Sequence, residues 1–200
     1  MRKKVFAGCL LVAVLAAGNC FAQASAGFFI EQGGNVPFVF NSISKLESGI
    51  TYTDWTRIRI KMQELNVDAV DTFTSGWTLT FRAMAATIAG DQGGSIPLSR
   101  VRLSSTDASP FPPELTPIAL TALTGAAQTL ASGAASSHVP NHIPGQTNPP
   151  FVAAEETVLD VTYDCGIAVG AGGNGNLLEE SGNLAGDLYT VDIELLLSVP

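Results

Sequence analysis

Gly170-Ala171-Gly172-Gly173-Asn174-Gly175 spells G-x-G-x-x-G directly behind a run that alternates as a strand does, which is the upstream half of a dinucleotide fingerprint. The downstream half needs a helix N-terminus facing a pyrophosphate, and residues 176–181 are too few to form one before Gly182. A flexible hairpin loop without a cofactor is expected instead. His138 and His142 have an H-x3-H spacing, but Pro140 and Pro144 break that segment, so the two imidazoles do not share a helical face and no metal site is expected. Glu179, Glu180 and Asp187 are loop acids of the type that holds calcium, yet their spacing matches no established ligand loop. Cys165 shares its phase with Leu159, Val161 and Tyr163, which predicts a buried, inert thiol. Trp55 and Trp77 each open a strand, where an indole either caps the core or stacks on a sugar, and core is the expectation for both. No nucleophile elbow, H-E-x-x-H or P-loop occurs. Without a catalytic constellation, a non-enzymatic role is expected, and the enzymatic alternative is a hydrolase with carboxylates gathered from separate loops.

The elements that would position these groups repeat at period two. In residues 55–62, Ile58, Ile60 and Met62 oppose Arg57, Arg59 and Lys61. In residues 76–84, Trp77, Leu79, Phe81 and Ala83 oppose Thr78, Thr80 and Arg82, with the aromatic and β-branched content of a strand. Residues 157–165 continue the pattern, and residues 188–199 carry it furthest, with Tyr189, Val191, Ile193, Leu195, Leu197 and Val199 on one side. Weaker strand candidates are residues 28–31, 36–40, 96–103 with a bulge between Leu98 and Val101, 117–123 and 126–131. Residues 115–136 are alanine-rich, but Pro117, Gly125 and Gly133 interrupt them and Thr121, Thr124 and Thr129 favour strands. Residues 136–150 and 166–186 read as loops. About eight short strands separated by Gly, Pro, Asn and Ser clusters predict one all-β domain over residues 25–200, an antiparallel β-sandwich.

Address and charge narrow the function classes. Arg2, Lys3 and Lys4, an apolar stretch over residues 5–17 and Ala22-Gln23-Ala24 make residues 1–24 a secretory signal peptide, which predicts a protein exported through the periplasm to the cell surface or medium. Gly18-Asn19 ahead of Cys20 argues against lipidation. The remaining 176 residues carry 7 basic and 18 acidic side chains, a balance of −11. Such a field repels nucleic acid and anionic lipid, and no later run is apolar enough to span a bilayer. Cleavage leaves Cys165 without a partner for an intramolecular disulfide. The basic residues Lys45, Arg57, Arg59, Lys61, Arg82, Arg100 and Arg102 sit mostly at outward strand positions, forming a solvated face. Asp160, Asp192 and Glu194 are placed to meet strand arginines across a ladder, at about 0.2–1 kcal/mol each.

Three segments carry a resemblance: G-W-T-L-T-F-R at residues 76–82, G-S-I-P-L-S-R-V-R-L at residues 94–103, and A-G-D-L-Y-T-V-D-I-E-L-L-L-S-V at residues 185–199. Together they resemble bacterial secreted pilin-like proteins of the spore coat U and chaperone-usher fimbrial type. The resemblance covers about a third of the mature chain and implies an immunoglobulin-like sandwich completed by a strand from a sibling molecule. It gives Tyr189, Val191, Ile193, Leu195 and Leu197 the role of lining the groove. Phe28 and Ile30, or Val36, Phe38 and Phe40, become the inserting face of a donor strand within residues 25–40. Here Val199 stands in place of the penultimate tyrosine such subunits often carry, the fimbrial disulfide is missing and Gly33-Gly34 interrupts the donor. Burying five groove side chains would contribute about 8–15 kcal/mol. The implied partners are copies of the chain or homologous subunits, with a periplasmic chaperone and an usher. The expected function is a structural subunit of an extracellular fibre or surface layer. The alternative is a secreted glycan-binding or adhesin module.

Overall fold

Alternation at period two has one outcome in an antiparallel sheet: every second side chain enters the core and the rest face outward. Over Trp77–Ala83, Trp77, Leu79, Phe81 and Ala83 are buried while Arg82 is exposed. The computed structural model of the chain describes residues 24–64, 76–109, 115–133, 157–179 and 187–199. In chain order the elements are β1 (Ala24–Gln32), β2 (Phe38–Phe40), α1 (Ile43–Ser48), β3 (Ile50–Glu64), β4 (Trp77–Ala83), β5 (Thr87–Gly90), β6 (Ser95–Pro97) and β7 (Val101–Asp107). They continue with β8 (Thr116–Pro117), β9 (Thr121–Ala122), β10 (Gln128–Gly133), β11 (Thr157–Cys165), β12 (Asp187–Thr190) and β13 (Ile193–Ser198). Residues 1–23, the bulk of the expected signal peptide, lie outside the described residues.

The described residues are β apart from α1 and short 3-10 turns, and every described ladder is antiparallel. Among the described residues, the expected set of about eight strands becomes thirteen segments in three sheets, ordered β1-β3-β11-β7-β9, β13-β4-β10-β8 and β2-β12-β5-β6. The difference arises at corners, where one run of sequence serves two sheets. The slip expected as a bulge in residues 96–103 is a 3-10 turn, Leu98–Arg100, that carries the chain from β6 into β7 of the five-stranded sheet. Residues 117–123 divide into β8 and β9, again in different sheets. The run expected as the longest strand, residues 188–199, breaks at Val191-Asp192: β12 pairs with β2 and β5, while β13 pairs with β4. At the break the Met84 amide donates to the Asp192 carbonyl at 2.9 Å. The longest strand is β3, at 15 residues.

All three sheets contribute to one core. Ile58, Ile60, Leu103, Leu159 and Val161 come from the five-stranded sheet, Leu79, Phe81 and Leu130 from the second, and Phe40, Ile88, Ile96 and Tyr189 from the third. β11 has the expected bounds but is covered on both faces, Val158, Asp160 and Asp164 being buried alongside the inward set. α1 was unexpected from the pattern. It is bracketed by Ser42, whose Oγ accepts from the Lys45 amide at 3.3 Å, and by Gly49 at φ 76°. A side chain at Gly49 would meet the carbonyl oxygens of Gly166 and Cys165 at 2.6 and 2.7 Å.

Candidate functional site

Among the described residues, β1 and β13 are end strands, each hydrogen-bonded to a single neighbour, β3 and β4 respectively. Their Cα traces approach within 8 Å, so the two sheets converge along one seam built from strands near the two chain ends. Register assigns the faces. Phe28 lies opposite Ile60 and Ile30 opposite Ile58, on the core side, whereas Phe29 lies opposite Arg59 on the outer side. Across the seam Ile193, Leu195 and Leu197 are half-buried against the core, and Leu196, opposite Thr80, faces out. Relative exposures of 42% for Phe29, 44% for Ile30 and 59% for Leu196 make both strands apolar on surface that solvent reaches. An end strand of that composition is the physical setting for pairing with another chain.

Arginine and carboxylate side chains lace the strands on their outer faces. The Arg59 guanidinium donates to both Glu31 oxygens at 2.9 Å, tying β1 to β3. Arg82 pairs with Glu194 between β4 and β13. Arg57 donates to both Asp160 oxygens at 2.8 and 2.7 Å, and the hydrogen bond and charge of Asp160 raise the Arg57 pKa above its ordinary value. Arg102 holds Asp164 at 3.0 and 2.5 Å. Asp160 and Glu194 thus meet the strand arginines expected of them, whereas Asp192 lies exposed in the break before β13.

No protein-family model matches the chain, and no curated protein matches it.

The donor set divides. Phe28 and Ile30 belong to the end strand β1, but Phe38 and Phe40 are core residues and Val36 packs partly against that core. The groove set divides too: Tyr189 is fully buried in β12, its ring 6.1 Å from that of Phe40, while Ile193, Leu195 and Leu197 line the seam. Two expected halves of an intermolecular contact therefore already meet within one chain, since Phe38 pairs with Tyr189 in register. The large burial expected from five groove residues is correspondingly reduced, because Tyr189 has no surface left to cover.

The G-x-G-x-x-G segment is internally hydrogen-bonded and does not join neighbouring strands as the hairpin expected of it would. It leads from the five-stranded sheet towards β12 in a different one, through 3-10 turns at Val169–Ala171 and Leu177–Glu179. The amides of Gly172, Gly173 and Gly175 donate internally to the carbonyls of Val169, Ala168 and Ile167 at 3.0 Å each, so they do not point at a phosphate. Arg100 binds the Asn174 carbonyl, and Arg102 binds that of Gly172 at 2.6 Å. Cys165 is buried, and desolvation, followed by the charge of Asp164, pushes its thiol up to about 12. Trp77 is in the core, whereas Trp55 remains 37% exposed. His138, His142 and Glu180 lie outside the described residues, and of Glu179 and Asp187 only the backbone is described. Among the described residues, no three His, Cys, Asp or Glu side chains gather in a metal-holding group.

Phe29 and Leu196 are the residues that parity reasoning passed over. The signal was present: Phe28-Phe29-Ile30 and Leu195-Leu196-Leu197 are runs of three apolar residues, which break the alternation and place a hydrophobe on an outward position.

Proposed function

We propose that the protein is a non-enzymatic structural subunit of an extracellular bacterial fibre or surface layer, an immunoglobulin-like sandwich that assembles by β-strand addition. The observation that carries this is the pair of end strands, β1 and β13, converging on one seam with apolar residues on both their inner and outer faces. β1 is the favoured segment for exchange between molecules. Phe29, Ile30, Glu31 and Gln32 are exposed, so the strand contributes little to the core, and it ends at Gly33 (φ 69°) followed by Gly34. A strand that leaves its own β3 and occupies that of a sibling reforms the same ladder, so exchange costs little once the hinge permits it. Export rests on the leader at residues 1–24, and the partners are further copies of the chain or homologous subunits, with a chaperone and usher as assembly machinery. The resemblance of residues 76–82, 94–103 and 185–199 to pilin-like proteins supports the same role.

Negative-stain imaging of the mature protein, before and after brief exposure to denaturant sublytic for the core, tests this. Filaments or ordered two-dimensional arrays are the expected result. Dispersed single particles under all conditions would refute assembly by strand addition.

A further inference from the structure

We propose that the exposed face of Trp55 is a stacking platform for the ring of a neutral saccharide. The inference stands apart from strand addition, because Trp55 lies two residues beyond the last β1 pairing, between Gln32 and Arg57.

Three aromatic rings run outward from the core. Phe38 is buried and tilted against Tyr52 with centroids 5.5 Å apart, and Tyr52 is tilted against Trp55 at 4.7 Å. Each outer ring is also fixed by its polar atom: the Tyr52 hydroxyl donates to the Pro37 carbonyl at 2.7 Å, and the Trp55 Nε1–H donates to the Asn35 carbonyl at 2.8 Å. The indole thus has its hydrogen-bonding edge occupied and its position set on one side by Tyr52, so what it offers a ligand is apolar ring surface. A platform held in this way loses little rotamer entropy on binding.

The backbone is distorted at the same point. Thr53, Asp54 and Trp55 together stand opposite Thr162 alone, since the flanking pairs are Tyr52 with Tyr163 and Thr56 with Val161. Asp54 has φ 47°, unique among non-glycine residues described, and is held by its amide donating to Thr162 Oγ1 at 2.9 Å. The chain at Gly33 passes close against Trp55, where a Cβ would strike the Trp55 carbonyl. Asn35, whose carbonyl accepts from the indole, and Thr53, two residues before Trp55, are exposed polar residues on which ring hydroxyls form hydrogen bonds, whereas the Asp54 carboxylate accepts from Thr162 and Thr106 across the sheet. The balance of −11 in residues 25–200 disfavours anionic sugars, which leaves a neutral pyranose as the ligand class. The apolar face of such a ring matches an indole.

Intrinsic fluorescence of the full chain tests this, because Trp77 is buried and Trp55 is the indole that solvent reaches. The probes are β-1,4-linked hexamers of glucose and of N-acetylglucosamine, with choline as a cationic control for cation–π binding. At least one hexamer is expected to produce a saturable emission shift that choline does not. Isothermal titration calorimetry, which needs no indole reporter, reads the variants: Trp55→Ala is expected to abolish binding, and Trp55→Phe, which keeps a ring against Tyr52, to weaken it by about tenfold while the melting transition is retained. Absence of a shift with either hexamer, undiminished calorimetric binding by Trp55→Ala, or saturation by choline in place of the sugars would overturn the proposal.

Discussion

Burial holds the proton on Cys165. Its thiol is pushed up to about 12, against 9.0 for the exposed group, and burial likewise raises the Tyr163 hydroxyl above 10.0. Between pH 9 and 12 the unfolded chain releases protons that the folded chain retains, so stability falls as pH rises through that window. Each unit of difference at one group is worth about 1.4 kcal/mol. Urea denaturation at pH 8 and pH 10.5 is expected to show this loss, reduced in Cys165→Ala, and the native thiol is expected to resist thiol reagents at pH 8. The Arg102/Asp164 pair is the other residue-scale test. Its side chains are 11% and 7% exposed, so Asp164→Ala leaves a nearly buried guanidinium uncompensated and is expected to cost about 3–5 kcal/mol in denaturant midpoint analysis. Replacing both partners with apolar residues is expected to cost less. The thiol's burial was legible from its parity with Leu159 and Val161, whereas that of Val158, Asp160 and Asp164 on the opposite parity was not, because β11 is covered on both faces. The Arg102 contact with the Gly172 carbonyl was not, because it joins residues 70 apart through a glycine-rich segment that has no pattern of its own.

At the scale of the element, strands announced themselves and corners did not. β4 and β11 were legible almost to the residue, since each is one uninterrupted alternation. β12 and β13 were merged because Tyr189, Ile193, Leu195 and Leu197 keep one parity across the break, and parity carries no information about which sheet a strand joins. α1 was missed because six residues are less than two helical turns, so only its caps, Ser42 and Gly49, gave a signal. The end strands were legible as strands, but their position at the seam was not. β1 carries a prediction of its own. A chain lacking residues 24–32 exposes the β3 ladder, and a synthetic peptide of residues 24–32 is expected to bind it one-to-one and restore its melting temperature. A scrambled peptide, which keeps the composition and loses the register of Phe28 and Ile30, is expected to fail in the same calorimetric measurement.

For the whole molecule, an all-β antiparallel chain was legible and its division among three sheets was not, because the division follows from turns at residues 98–100, 118–120 and 191–192 rather than from any strand's composition. The three sheets still share one core, so the molecule is stabilised without a disulfide among the described residues, its thiol at Cys165 being free and buried. A mature chain with a charge balance of −11 repels its copies, and salt shortens the reach of that repulsion to about 8 Å at physiological strength. Assembly is therefore expected to accelerate with salt. The two strands that meet at the seam are where such copies gain most, since Phe29 and Ile30 of β1 and Leu196 of β13 are exposed. Light scattering on the mature protein across a concentration series at fixed salt, compared with the double variant Phe29→Lys, Leu196→Lys, measures that claim most directly. Both residues are solvent-exposed, so the variant is expected to melt normally. The account predicts a mass that rises with concentration for the parent and stays at one subunit for the variant. A parent that remains monomeric at every concentration, or a variant that assembles as the parent does, would contradict it.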